Sequence, residues 1–226
     1  MERLLQLTED GSHTISIPDW KVTYHSRHGA VLESMHIFID AGLKYLQANQ
    51  LKEISILEIG FGTGLNALLT FIESGNTTIY YESLEPYPLN QDTARQLNYC
   101  SQLGKNDLES TFDMLHQSGW NLEIQVTANF TFLKQQADVL NFETSRKYDL
   151  IYFDVFAPEI QPELWTTEIF TRLFNCTKEM GILLTYCSKT SVRKNMQSAG
   201  FIVQKIQGPK GKREIVRAIK PKKLKP

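Results

Sequence analysis

Three short stretches of this 226-residue chain carry residue types whose spacing can do chemistry. The first is Ile56-Leu57-Glu58-Ile59-Gly60-Phe61-Gly62-Thr63-Gly64-Leu65-Asn66, an apolar run leading into three alternating glycines and a helical pattern. Glycine adopts positive φ and lets backbone approach closely, so such a turn can lie against a nucleoside at a strand's carboxyl end. The nicotinamide fingerprint G-x-G-x-x-G wants its third glycine where Leu65 stands, which argues against a dehydrogenase. The second stretch, Ser83-Leu84-Glu85-Pro86, places an acid at the end of the next strand, where it can accept hydrogen bonds from both ribose hydroxyls. The third is Tyr148-Asp149-Leu150-Ile151-Tyr152-Phe153-Asp154-Val155-Phe156-Ala157-Pro158. Here a buried strand delivers Asp154 to the carboxyl edge of a sheet, with an aromatic and a proline close behind. A plain structural turn, an exposed acid and a turn-capping acid are the alternatives for the three stretches.

The elements that must position these residues follow from periodicity. Residues 14–17 and 20–24 alternate apolar and polar around Pro18-Asp19, which reads as a short hairpin, and Glu33 to Ala48 reads as a helix. From Ile54 onward the pattern becomes strand, turn, helix, repeated. Strands are expected over residues 54–59, 79–84, 122–127, 148–153 and 181–187, and helices over 66–73, 88–100, 108–116, 162–176 and 191–199. Residues 201–207 and 214–219 are separated by six residues, too few for a parallel crossover, so they should pair antiparallel. The fold class expected is α/β: a mostly parallel seven-stranded sheet, helices on both faces and a C-terminal antiparallel hairpin. Residues 1–50 read as an N-terminal extension packed on a core of 51–226.

Composition narrows the class. Forty-two per cent hydrophobic and eleven per cent aromatic residues suffice for a core and exclude a wholly disordered chain. No apolar run approaches the roughly 18 residues that span a bilayer, and the N-terminus lacks a secretory pattern. Three widely spaced cysteines, Cys100, Cys176 and Cys187, fit a reducing cytoplasm better than a disulfide framework. Net charge is −1, yet residues 205–226 hold nine Lys or Arg and one acid, Glu214. Such an end is either a surface for a polyanion or a solvated tail. The five histidines form no ligand-spaced cluster and no G-x-S-x-G elbow occurs, so neither a metal nor a hydrolase triad is expected.

The glycine spacing, with Glu58 two places before Gly60, resembles the loop of class I S-adenosylmethionine methyltransferases. The wider pattern is similar to the methyltransferase domain of MnmC-type tRNA-modifying enzymes, including its stand-alone form. The resemblance runs through Gly29-Ala30-Val31-Leu32-Glu33-Ser34, the glycine loop and Ser83-Leu84-Glu85-Pro86. It continues through Asp154-Val155-Phe156-Ala157-Pro158 with Pro162 and Trp165, then Tyr186-Cys187-Ser188-Lys189, Val192-Arg193 and Gly208-Pro209-Lys210-Gly211-Lys212-Arg213-Glu214. It implies a Rossmann-like class I fold and S-adenosyl-L-methionine as donor. The implied reaction is methyl transfer to the primary amine of 5-aminomethyl-(2-thio)uridine at the tRNA wobble position. A separate FAD-dependent oxidase would act in the same pathway. Because the chain stops at Pro226, no FAD is expected here; the histidine spacing and the lack of a long apolar run leave no metal or membrane expected either.

The resemblance also implies roles. Glu58, Gly60, Gly62, Gly64, Asn66 and Glu85 hold the donor, and Asp154 and Phe156 form the catalytic edge. Asp154 orients the amine as an ionised carboxylate, and Phe156 stacks on the base. Where the family commonly shows Gly-Asp at the adenine amino group, Ala128-Asn129 follows the 122–127 strand, so Asn129 is the expected substitute. Pro158, Lys189, Arg193, Lys210, Lys212 and Arg213 are expected to meet the anticodon stem-loop of tRNA, with the tail lysines Lys220, Lys222, Lys223 and Lys225 behind them. An aminopropyltransferase and a catalytically silent RNA-binding protein on the same scaffold are the rival readings.

Overall fold

The computed structural model describes residues 2–223, so the tail residue Lys225 lies outside the described residues. The chain opens with a three-stranded antiparallel sheet, β1 (Leu4–Leu7), β2 (His13–Ile17) and β3 (Val22–Thr23). The expected hairpin is β2–β3, closed by a 3-10 turn at Pro18–Trp20 and by Lys21 at φ 57°. A continuous helix follows: α1 (Ala30–Ser34), a π-helical stretch (Met35–Leu43) and α2 (Lys44–Ala48). The wider winding buries Ile37, Phe38, Ile39, Ala41, Gly42 and Leu43 together, which accounts for apolar residues too dense for one α-helical stripe. Gly42 lets this helix press on the sheet, since an added Cβ would stand 2.6 Å from Leu184 Cδ1.

The main sheet is built from β4 (Glu53–Ile59), α3 (Leu65–Glu73), β5 (Thr78–Leu84), the short helices α4 (Gln91–Ala94) and α5 (Tyr99–Gln102), and α6 (Glu109–Gln117). Next come β6 (Ile124–Thr127), β7 (Phe130–Gln135), β8 (Tyr148–Phe153), α7 (Thr167–Cys176) and β9 (Thr177–Thr185). Then α8 (Thr190–Ser198), β10 (Ile202–Gln207) and β11 (Glu214–Ile219) complete it. The strand order is β10-β11-β9-β8-β4-β5-β7-β6. β7, β5, β4, β8 and β9 run parallel, while β11 is antiparallel to both its neighbours. The sheet thus has eight strands where seven were expected.

The extra strand has a specific origin. Residues 124–135 are not one parallel strand but a tight antiparallel hairpin, with Ala128-Asn129 as its two-residue turn. β7, and not the 122–127 segment, is the strand that joins the parallel set beside β5. Along β8, Leu150 and Tyr152 face one core, shared with the long N-terminal helix and α3. Ile151 and Phe153 face the other, under α7 and α8. Burial on both faces makes β8 continuously apolar apart from Asp149, whose Oδ2 accepts from the backbone N–H and hydroxyl of Ser55 and from Lys178. Among the described residues no helix is long and apolar enough to cross a membrane.

Candidate active site

The carboxyl ends of β4, β5, β7 and β8 open onto one cavity of about 1190 Å³. Ligand pockets commonly run to about 300–1,000 Å³, so there is room for a donor and an acceptor side by side. Gly60, Gly62 and Asn66 line it from the first strand-to-helix turn, Glu85 from the second, Gln136, Ala137 and Asp138 from the third, and Asp154 and Phe156 from the fourth.

Backbone geometry explains the glycines. Gly60 has φ 97°, and a Cβ there would meet the Asp154 carbonyl oxygen at 2.5 Å. Its N–H donates to Leu84 O at 2.9 Å, so the loop is held against β5 on one side and β8 on the other. Gly62, at φ 50°, donates its N–H to Glu85 Oε2 at 3.0 Å, and Tyr87 N–H donates to Glu85 Oε1 at 2.8 Å. Each Glu85 oxygen keeps lone-pair capacity for a hydroxyl donor in the cavity. Burial raises the Glu85 carboxyl pKa, against the lowering effect of those two N–H groups.

Asp154 sits where β8 ends, half-buried, with Asn66 Nδ2 donating to its Oδ2 at 2.9 Å. Burial pushes its carboxyl up to about 7; the Asn66 bond and Lys212 pull it down, and Glu33 pushes it further up. Burial thus works against full ionisation of Asp154, whereas the sequence led to the expectation of an ionised carboxylate. Phe156 is fixed through its backbone: its N–H donates to Gln161 Oε1 at 2.9 Å, and Trp165 Nε1 donates to its carbonyl at 2.9 Å. Its ring meets Tyr24 and Trp20 edge to face, with centroids 5.3 and 5.6 Å away. Both partners come from the N-terminal segment and line the cavity. Their role is invisible in sequence, because a local hairpin says nothing about where it docks.

Several expected site residues lie elsewhere. Glu58 is wholly buried behind the cavity wall, and Gly64 faces His116 and Phe61 instead of the cavity. Asn129 is corrected outright. Its carbonyl accepts from Ile79 N–H at the start of β5, which puts the β6–β7 turn at the amino-terminal edge of the sheet, opposite the cavity. The residues at the matching carboxyl edge are Ala137-Asp138, after β7. The basic groups also separate. Lys212 lines the cavity, paired with Glu33 and with its ammonium 4.8 Å from the centre of the Tyr186 ring. Lys210 pairs with Glu9 at 3.0 Å and Lys189 with Glu159. Arg193 donates to Ser188 O and Thr190 Oγ1, both at 3.1 Å. Lys189, Arg193, Lys210, Arg213 and Pro158 do not line the cavity. The turn between β10 and β11 is thus tied to the N-terminal segment through Lys210 and Lys212, while Lys210 and Arg213 remain exposed.

This geometry is similar to that of known proteins. Residues 103–221 match a family described as S-adenosyl-L-methionine-dependent methyltransferase. The MnmC bifunctional protein of tRNA 5-methylaminomethyl-2-thiouridine biosynthesis from Leptospira interrogans is 29% identical over 204 residues, 85% of this chain and 32% of that protein. Its namesake from Burkholderia thailandensis is 29% identical over 228 residues, 94% of this chain and 34% of that protein. The chain therefore spans about a third of the length of the curated relatives it matches. In fold it is similar to the crystal structure of MNMC2 from Aquifex aeolicus, with a TM-score of 0.77 at 22% identity, covering 100% of this chain and 72% of that one. It is also similar to S-adenosylmethionine-bound CalS10, an amino pentose methyltransferase from Micromonospora echinaspora, with a TM-score of 0.54 at 11% identity, covering 86% and 93%. The chain belongs to a family of S-adenosyl-L-methionine-dependent methyltransferases and is MnmC-like, with the Rossmann-like class I fold.

Proposed function

We propose that this protein methylates the primary amine of 5-aminomethyl-(2-thio)uridine at the wobble position of tRNA. The observation that carries the reading is the place of Asp154, a half-buried carboxyl between the glycine loop and an aromatic wall, in a cavity with room for two ligands. The relatives are named for tRNA 5-methylaminomethyl-2-thiouridine biosynthesis, which supports the same substrate.

S-adenosyl-L-methionine supplies an electrophilic methyl group on a sulfonium. Glu85, with the backbone of Gly60 and Gly62, is suited to its ribose side, and Asp138 replaces Asn129 as the acid for the adenine side. Residues 1–50 act as an extension of the 51–226 core, supplying Trp20 and Tyr24 beside Phe156 as a wall for a splayed-out base. Most of the rate then comes from alignment of the amine with the methyl carbon.

The amine must be neutral to attack, whereas an alkyl ammonium titrates near 10, like Lys. An ordinary aspartate lies roughly six units below that and would only hold the proton on nitrogen. With Asp154 raised to about 7 the gap shrinks by about half, so Asp154 both orients the amine and shares its proton. Nucleoside analysis of tRNA from a strain lacking the gene tests the reading. Accumulation of the aminomethyl nucleoside with loss of its N-methyl form is expected; an unchanged profile would refute it.

A further inference from the structure

Behind the cavity, one side chain joins the glycine loop to Asp154. Asn66, the second residue of α3, is 4% exposed and donates through Nδ2 to Asp154 Oδ2 at 2.9 Å. Its own Oδ1 is buried and meets no donor. Beside it lies Glu58, near the end of β4, fully buried; Ser83 Oγ donates to Glu58 Oε2 at 2.6 Å, but Glu58 Oε1 has no partner. The hydroxyl of Tyr81 on β5 is likewise buried without a partner. Asn66 and Tyr81 are polar neighbours of the Glu58 carboxyl, but neither is bonded to its free oxygen. Three of the seven buried side-chain atoms lacking partners among the described residues therefore cluster around one carboxyl.

A buried polar group without a partner loses its hydration and gains nothing in return, so three together call for an explanation. An amide has a donating end and an accepting end. With the Asn66 nitrogen given to Asp154, its oxygen needs a donor, and Glu58 can donate only with a proton on Oε1. That proton supplies Asn66 Oδ1, while Tyr81 O–H donates to the carboxyl it faces, and all three gaps close. Turning the amide over does not remove the need, because Asp154 would then have to carry the proton for Asn66 Oδ1. The carboxyl–amide–carboxyl chain needs at least one proton in either orientation.

We infer that Glu58 is a positioning residue that keeps a proton at Oε1 and, through Asn66, holds the Asp154 carboxylate toward the cavity. Its value for catalysis rests on the proposed role of Asp154 toward the amine. The surroundings agree: burial pushes Glu58 up to about 8, Asp154 across from it adds to the rise, and Ser83, Asn66 and Tyr81 oppose it. Tyr152 on β8 also faces Glu58, while Asp154 feels Glu33 from α1, Lys212 from the β10–β11 turn and Tyr186 after β9.

Infrared difference spectra of the substrate-free protein, titrated from about pH 6 to about pH 10, test the inference directly. A protonated carboxyl band should persist above neutrality and bleach with a midpoint near the value of about 8. Glu58→Gln should remove the component that bleaches near 8, and Asp154→Asn should leave that component in place while removing any that bleaches nearer 7. Activity supplies the second arm. Glu58→Gln, whose amide can donate to Asn66 Oδ1, should recover at least about tenfold over Glu58→Leu. The ratio of Glu58→Gln to wild-type kcat should also rise across the wild-type midpoint. If Glu58→Leu fails to fold, the spectra and this ratio still decide. A spectrum with no band lost in Glu58→Gln, or a ratio independent of pH, overturns the inference. A band that behaves as stated alongside no methyl transfer to the aminomethyl nucleoside would instead refute only the proposed substrate.

Discussion

The peptide N–H of Gly62 donates to Glu85 Oε2 at 3.0 Å, which ties the glycine loop to the acid that ends the neighbouring strand. The bond gives Glu85 two tasks, since the carboxylate that faces the cavity also fixes the turn. Glu85→Ala should weaken S-adenosyl-L-methionine binding by about 1–3 kcal/mol, the cost of losing charge-assisted hydrogen bonds. Calorimetry on the folded variant checks this, and unchanged affinity would remove Glu85 from the donor site.

Asp138→Ala should lower donor affinity by about 1–2 kcal/mol, whereas Asn129→Ala should leave it unchanged, because their turns lie at opposite edges of the sheet. The same calorimetric titration on the two variants decides the point. A loss with Asn129→Ala and none with Asp138→Ala would reverse the assignment.

How much was legible in sequence varies along the chain for physical reasons. The glycine loop was readable because Gly60, Gly62 and Gly64 all have positive φ, which few other residues tolerate. Asp154 was readable because a run buried on both faces stops abruptly at an acid. β7 was missed: Phe130-Thr131-Phe132-Leu133-Lys134-Gln135 ends in two polar residues, and the Ala128-Asn129 turn lacks the usual glycine. Lys134 reads as a surface residue, yet it is 1% exposed, its ammonium bonded to His116 O and 4.6 Å from the centre of the Trp120 ring. With β7 unassigned, Asn129 after the 122–127 strand stood in for the carboxyl-edge position that Asp138 occupies in the fold. The pairing of Lys212 with Glu33 was invisible because it joins residues 179 positions apart.

The basic turn should matter less for tRNA than its charge suggests, since Lys210 and Lys212 are already paired with Glu9 and Glu33. Lys21 and Arg27 are exposed and line the cavity, and they are the cations best placed for phosphates flanking a base inside it. Each single-strand phosphate contact contributes about 0.7 to the salt slope of log K. Lys21→Ala with Arg27→Ala should flatten the slope by about 1.4 without changing donor affinity. Lys210→Ala should leave the slope nearly unaltered. Salt titrations of tRNA binding would contradict this if Lys210→Ala gave the larger change.

Stability should depend on pH with opposite signs for the buried carboxyls and the buried histidines. Glu58 is raised from 4.5 to about 8, so between those values the folded protein binds the extra proton and stability falls as pH rises. At about 1.4 kcal/mol per unit, the loss is of the order of a few kcal/mol. Asp154, raised to about 7, adds to the same limb, so Glu58→Gln should shrink it and remove its part between about 7 and 8. Burial lowers His25 and His116 from 6.5 to about 4, so there the unfolded chain binds more protons and stability falls as pH drops through that range. Chemical denaturation across pH reads both limbs. A Glu58→Gln protein with the wild-type alkaline limb would show that Glu58 is not its source.

The proposed reaction is tested most directly by purified protein, methyl-labelled S-adenosyl-L-methionine and tRNA carrying 5-aminomethyl-2-thiouridine. The label should enter a single N-methyl group on the wobble nucleoside. Asp154→Asn should slow that transfer by at least about 100-fold while donor affinity changes by less than about threefold. Label on another nucleoside, or near wild-type transfer by folded Asp154→Asn, would contradict the account.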